Sequence, residues 1–547
     1  MVLTPVDREV RLRQVYSELD RKFEEQETQR KATTNKLPYI NLYGYPLDPS
    51  ALVVINPERS LAVQAVVFYK EGPNLKIGTF HPTPALKDLV KELETRGYYP
   101  ELYQISESSF VHMHDGYSKV VQTQQKSGKI ELDSKKQGIR VSSLKELAEH
   151  LSNASATELI DTLLQAALSL NSSDIHVEPE GAGIKIRYRI DGVLQDIAVL
   201  PKETHHPIVS RIKILAKLKL NLTTVPQDGS FSLTYNGTAV DIRVSILPST
   251  YGESLVLRIL RQDKGSLKFE ELGIRGLAFS RLTQQMEKPN GMILTTGPTG
   301  SGKTTTLYAI LNKLNEPGVK IITLEDPVEY KIQGITQSPI DSSQGLTFAA
   351  GLRAILRQDP DVVMVGEMRD LETAETAAQA ALTGHVVLST LHTNDAAGAI
   401  PRLIDLGVKP FVLSPAINAI IAQRLVRKIC PNCKSAYTPE QHLLSRAEMI
   451  LASLPKKSEA KVPGRLQFYR SAGCAACNGL GYKGRIGVYE IFTINEEIEK
   501  LIQKSASNSE IRNQAIADGM ITMAQDGVLK ALDGITDLEE VFRVTEA

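Results

Sequence analysis

Tryptophan is absent from the 547 residues, and the 12 phenylalanines and 18 tyrosines are scattered rather than clustered. A chain that stacks on unpaired bases needs aromatic platforms and a basic channel, and this one offers neither: lysine plus arginine and aspartate plus glutamate both total 63. With no net charge there is no bulk electrostatic attraction to nucleic acid or to an anionic membrane, so nucleic acid is not an expected partner. No window of about 18 to 20 uninterrupted apolar residues occurs, and Met1 to Val10 is charged without an apolar core, so neither a spanning helix nor a secretory signal is expected. Four cysteines are too few for a disulfide scaffold of this size. Together these absences predict a cytoplasmic chain. At roughly 150 residues per domain, its length predicts three or four domains.

What is present falls into segments. Leu12, Val15, Tyr16, Leu19 and Phe23 recur at three- and four-residue steps, so 1–35 reads as an N-terminal helix with one narrow apolar stripe. Residues 36–121 read as a small α/β domain, with β-like runs at Leu52 to Ile55 and Val63 to Tyr69 and a helix carrying Leu86, Leu89, Val90 and Leu93. The polar stretch 122–142 reads as a linker.

In 143–262 a helix over 156–170 buries Leu159, Ile160, Leu163, Leu164, Ala167 and Leu168. Alternation then appears at Ile184, Ile186, Tyr188 and Ile190, at Val240, Ile242, Val244 and Ile246, and in a strand from Leu255 to Leu260. Lys185, Arg187, Arg189, Arg243 and Arg258 fall on the polar side; taken alone, such arginines read as a solvated sheet face. In 276–426 the apolar runs Met292–Thr296, 320–324, Val362–Val365 and 386–389 alternate with helical patterns, which predicts a parallel sheet covered on both faces. The cysteines lie in 427–486, and 487–547 is expected to be mostly helical.

Gly297-Pro298-Thr299-Gly300-Ser301-Gly302-Lys303-Thr304 fits GxxxxGK[ST], with an apolar strand before it, and Thr305 and an amphipathic helix after it. Such a loop turns its N–H groups onto phosphate oxygens, Lys303 reaches the β and γ phosphates, and Thr304 offers its hydroxyl to magnesium. ATP and Mg²⁺ are therefore the expected ligands. Hydrolysis also needs carboxylates at neighbouring strand ends, and two runs end in them, one at Glu325 and one at Gly366-Glu367. One glutamate should hold magnesium and the other should orient or deprotonate water. Sequence leaves open which does which; Glu367 is taken with Thr304 on the magnesium side. His392, at a strand tip among Thr390, Thr393 and Asn394, is the expected γ-phosphate sensor.

Cys430 and Cys433 form one CxxC pair and Cys474 and Cys477 another. Two such knuckles predict a closed, structural Zn²⁺ site; a single pair would be enough for thiol redox chemistry.

In order, GPTGSGKTTT (297–306), ITLEDPVEY (322–330), LRQDPDVVMVGEMRD (356–370), TGHVVLSTLHTN (383–394) and the tetracysteine segment resemble the secretion ATPases of type II secretion and type IV pilus assembly. The resemblance covers roughly 155–547. It implies a PAS-like α+β domain followed by a RecA-like P-loop domain, joined in a homo-hexameric ring in which Arg187, Arg189, Arg243 and Arg258 become γ-phosphate ligands for a neighbouring site. It implies a motor that sits peripherally at the inner face of the cytoplasmic membrane, working with an inner-membrane platform protein and a cytoplasmic adaptor. Pilus assembly is the leading expectation. Type II secretion or a DNA-uptake pseudopilus is the alternative, and a retraction motor, a nucleic-acid translocase and a non-hydrolysing adaptor are the remaining rivals. Arg11-Leu12-Arg13 lacks the glycine of the cyclic di-GMP pattern found in some relatives, so that regulation is not expected.

Overall fold

The computed structural model describes residues 23–42, 45, 49–125, 130–132, 156–261 and 268–545. Of the expected N-terminal stripe, only Phe23 falls among them, and most of the linker lies outside them. The chain forms two compact units, one from Met1–Glu131 with Val209–Thr234 and one from Leu132–Ile208 with Tyr235–Ala547.

In the first unit, strands β1 (Ala65–Glu71), β2 (Asn74–Thr79) and β3 (Tyr99–Gln104) form one sheet, antiparallel between β1 and β2 and parallel between β2 and β3. Helix α1 (Pro84–Thr95) makes the β2-to-β3 crossover. Thr83 caps it and Pro84 sets its first turn, while Leu86, Leu89 and Leu93 pack onto the sheet. The run Leu52 to Ile55, expected to be extended, is instead the end of a one-turn helix followed by a turn. Pro49 starts that helix, and an apolar run of four residues has too little periodicity to distinguish the two states. Residues 122–125, expected in a linker, continue helix α2 (Glu107–Gln125).

The second unit opens with α3 (Ala156–Ser169), whose six expected apolar positions are all buried. It packs on antiparallel strands β4 (Asp174–Pro179), β5 (Ile184–Ile190), β6 (Val193–Leu200), β7 (Thr238–Ser249) and β8 (Gly252–Arg261), in the order β7-β8-β4-β5-β6. On β5 buried and half-buried residues alternate strictly. Tyr188 is wholly buried, and its hydroxyl donates to Leu163 O at 2.7 Å, tying sheet to helix.

The second sheet of this unit contains β9 (Gly291–Thr296), β10 (Ile321–Glu325), β11 (Thr336–Pro339), β12 (Val362–Val365), β13 (Val386–Leu391), β14 (Ile417–Ile429) and β17 (Tyr482–Thr493), ordered β11-β10-β12-β13-β9-β14-β17. Every pairing is parallel except that of β14 with β17. Met292, Leu294, Val363 and Val365 enter one core layer; Ile293, Val362 and Met364 enter the other. Apolar side chains on both faces explain why these strands read as continuous apolar runs rather than alternations. Helix α4 (Lys303–Leu314) follows β9, and α5 (Leu371–Leu382) lies between β12 and β13.

Between β14 and β17 the chain forms a small subdomain of β15 (Lys434–Tyr437), helix α6 (Gln441–Ala452) and β16 (Phe468–Ser471). Helices α7 (Glu496–Gln503), α8 (Asn508–Ala517), α9 (Met523–Leu532) and α10 (Leu538–Thr545) close the fold. Val528, Ala531, Leu538 and Val541 of the last two pack with Ala447 and Leu451 of α6.

Candidate nucleotide and metal sites

The glycine loop bends between β9 and α4. Gly302, at φ 90°, caps the helix in a backbone conformation that an L-residue resists. Gly297, at φ 146°, has no room for a Cβ, which would lie 2.7 Å from both Gln423 O and Ser301 Oγ. Pro298, Thr299, Gly300 and Thr305 are exposed and Thr304 is half-buried. Lys303 Nζ donates to the loop's own carbonyls, Gly297 O at 2.7 Å and Pro298 O at 3.2 Å. Burial, with a smaller push from the Arg424 charge, lowers its pKa to about 8, while Glu367 pulls the other way.

The two strand-end glutamates sit in different surroundings. Glu325 is buried; Oε1 accepts Thr323 Oγ1 at 2.6 Å and Gln337 Nε2 at 3.1 Å, and Oε2 accepts the Tyr308 hydroxyl of α4. Burial, then the bond to Glu325, drives the Tyr308 phenol well above its usual range, so it stays a donor. Glu367, its side chain 14% exposed, follows β12, with Oε1 2.6 Å from Arg369 NH2 and Oε2 3.5 Å from His392 Nε2. His392 is exposed at the tip of β13. Beneath it, Thr390 Oγ1 donates to Gly366 O at 2.7 Å, and Thr393 N donates to Thr296 Oγ1 at 2.8 Å, which links this tip to β12 and β9. Lys303, Glu367 and His392 are thus gathered at adjacent strand ends, and Glu325 is held inside a network of its own.

The arginines share a sheet face, and two of them, Arg189 and Arg258, share one carboxylate. Arg187 NH2 donates to Glu178 Oε1 at 2.7 Å. Buried Asp174 takes Arg258 Nε at 3.0 Å on Oδ1 and Arg189 Nε at 3.3 Å on Oδ2. Arg243 reaches the acidic segment after β10, donating to Val328 O at 3.1 Å with Glu329 Oε2 3.8 Å away.

Sequence reasoning passed over Gln423 and Arg424 on β14. Gln423 Nε2 donates to Ser301 O at 2.8 Å, and Arg424 NH2 donates to Asn394 O at 3.1 Å. A glutamine and an arginine directly after the apolar run Ala419 to Ala422 were the available signal.

The four cysteine sulfurs lie within 4.8 Å of one another. Cys430–Cys474 and Cys433–Cys477 Sγ pairs are both 3.9 Å apart and Cys474–Cys477 is 3.8 Å. Tetrahedral thiolates at about 2.3 Å from one zinc would stand about 3.8 Å apart, so the donor set fits such an ion. Against burial, which raises it, main-chain N–H groups of Cys474 and Gly481 hold the Cys477 thiol down at about 7. Gly481 N donates to that sulfur at 3.3 Å.

A family profile described as "Type II/IV secretion system protein" matches residues 149–543. "Type II secretion system protein E" of Pseudomonas aeruginosa is 45% identical over 406 residues, 74% of this chain and 78% of its own length. The Aeromonas hydrophila protein of the same name is 39% identical, covering 92% and 99%. "Type IV pilus assembly ATPase PilB" of Myxococcus xanthus is 38% identical, covering 92% and 88%. The fold is similar to that of the Legionella pneumophila ATPase DotB, with TM-score 0.52, 21% identity, and 71% and 95% coverage. Among the described residues no helix is long and apolar enough to cross a membrane. With its glycine loop, two strand-end glutamates and relatives matched over most of its length, this chain belongs to the type II/IV secretion system protein family and is an ATPase.

Proposed function

We propose that the chain is the Mg²⁺-dependent motor of a pilin- or pseudopilin-polymerising machine, acting as a homo-hexamer on the cytoplasmic side of the inner membrane. Relatives named for type II secretion and for pilus assembly match over most of the chain at similar identity. That supports a secretion or pilus-assembly ATPase, with pilus assembly kept as the leading reading. The α3/β4–β8 domain is read as PAS-like and the P-loop domain as RecA-like. Relative rotation of the two would pass force to a membrane platform protein and a cytoplasmic adaptor.

The observation carrying this reading is the convergence of Lys303, Glu367 and His392 at adjacent strand tips. On binding ATP, Lys303 exchanges Gly297 O for phosphate oxygens, and loop N–H groups take the remaining phosphate charge. Thr304 and Glu367 would hold magnesium, which when bound would neutralise the charge that develops on the phosphates. Glu325, whose neighbours keep it inside, orients the attacking water through the edge of its network. His392 senses the γ-phosphate, and Arg187, Arg189, Arg243 and Arg258 approach it across a subunit boundary. Four cysteine thiolates would hold a structural zinc ion away from the chemistry. The test is steady-state phosphate release by purified oligomer and isolated protomer. Turnover should need magnesium and assembly and should vanish in Lys303→Ala; full turnover by a lone protomer refutes the ring.

A further inference from the structure

Strand β14 runs beside β9, with Ala422 opposite Thr296, so Gln423 and Arg424 come directly beneath the glycine loop. Arg424 is 8% exposed and its guanidinium donates to two main-chain carbonyls, Gln423 O at 3.2 Å and Asn394 O at 3.1 Å. Asn394 lies two residues after His392 on the β13 tip. Gln423 is buried too; its side-chain amide nitrogen holds Ser301 O, and its main-chain carbonyl occupies the space that a Cβ on Gly297 would need. One two-residue step therefore touches the phosphate loop at two points and the sensor tip at one.

A guanidinium taken from water is costly unless its surroundings compensate it. Here the compensation comes from the carbonyls and from the acidic groups Glu490 and Asp395 nearby. Glu490, buried on β17, accepts Ala396 N at 3.1 Å, and Asp395 Oδ1 accepts Gly398 N at 2.7 Å. Both carboxylates thus grip the continuation of the same sensor segment. An apolar residue would have filled the position in the sheet at lower cost. What it could not do is fix the separation between two loops that must close on one phosphate.

We infer that Arg424, with Gln423, is a positioning residue for hydrolysis: it holds the His392-bearing tip in register with the phosphate loop without touching nucleotide itself. The inference rests on the ATPase reading of this site. Nucleotide affinity should survive its loss, because the loop N–H groups and Lys303 remain; the geometry that separates bound from reacting ATP should not. A displacement of about 1 Å in such a site costs on the order of a hundredfold in rate.

The experiment compares the wild-type oligomer with Arg424→Gln, Arg424→Lys and Gln423→Met, measuring kcat, KM for ATP and the Kd of a fluorescent ADP analogue. Arg424→Gln should lower kcat about tenfold or more while KM and Kd stay within about threefold. Arg424→Lys, which keeps the charge but reaches fewer carbonyls, should recover part of the loss. Gln423→Met, close in shape but unable to hold Ser301 O, should show a milder form of the same split. Should Arg424→Gln fail to fold, the other two variants decide. Unchanged kcat in them, or a parallel loss of kcat and nucleotide affinity, overturns the inference. A wild-type protein that hydrolyses no ATP defeats the underlying ATPase reading instead.

Discussion

Asp174 and Arg258 stand opposite one another on neighbouring antiparallel strands, and the arginine's Nε meets the carboxylate at 3.0 Å. Because Asp174 engages Arg258 and Arg189 through Nε, the terminal amino groups of Arg258 are left facing outward, and its side chain is 59% exposed. That fork is the geometry that bidentate phosphate recognition uses. If it serves a neighbouring subunit's γ-phosphate, Arg258→Ala should lower kcat on the order of a thousandfold while the protomer still binds ADP. Asp174→Asn should lower kcat less, about tenfold, by loosening Arg258, while Arg189 NH1 keeps Gly192 O at 3.2 Å. Rate and ADP titrations on each variant check this; undiminished turnover in Arg258→Ala removes the arginine from the mechanism.

The two glutamates should separate in kind. Glu367→Gln is expected to lower turnover by a factor of about 10² to 10⁴ through loss of a magnesium ligand, with little change in melting temperature, since the partners of its carboxylate, Arg369 and His392, are exposed side chains. Glu325→Gln should impair turnover and also lower the melting temperature, because Thr323 and the Tyr308 hydroxyl would face a side-chain amide in place of a carboxylate. Calorimetry run beside the rate assay distinguishes them; equal thermal stability in both variants contradicts the assignment.

Purified chain should carry one equivalent of zinc, and a strong chelator should shift the melting profile of the cysteine subdomain. Cys474→Ser should release the metal, because a closed four-thiolate set tolerates no missing ligand. Elemental analysis together with melting curves is the measurement; metal-free protein of unchanged stability argues against the site.

Glu540 links the end of the sheet to the last helix. Arg427 NH2 reaches it at 2.7 Å and Arg543 Nε at 2.9 Å, and its side chain is wholly buried. Burial alone would raise its pKa, but the two guanidiniums outweigh that and hold it at about 2. A carboxylate depressed in the folded state stabilises above its ordinary range near about 4.3 and loses that contribution as pH falls toward about 2. Glu540→Gln should cost about 3 kcal/mol near neutral pH, with a smaller difference from wild type at lower pH. Urea unfolding across that range tests it; a constant difference would mean that the arginines do not depress the carboxyl.

Much of this fold is legible in the sequence. Strands buried on both faces announce themselves by composition, so β9, β10, β12 and β13 were found to within a residue or two, and the strict alternation of Ile184 to Ile190 placed β5. The edge strand β17 is not marked in the sequence because its first third, Tyr482 to Arg485, is polar and carries a glycine, so the cysteine region is expected to end at 486. Gln423 and Arg424 go unmarked for another reason. Which strand lies next to the phosphate loop is a fact of topology, and no local pattern marks a residue more than 100 positions away as its floor. The acceptors of the arginines were equally hidden: Asp174 faces Arg258 only once β4 and β8 pair.

The cysteine subdomain departs from the core at Ile429 and returns at Tyr482, two residues that are direct partners across β14 and β17. Its entry and exit are therefore stitched side by side, and loop-closure entropy grows only as the logarithm of the excursion's length. Residues can therefore be added to or removed from this appendage without altering the register of the two strands that carry it.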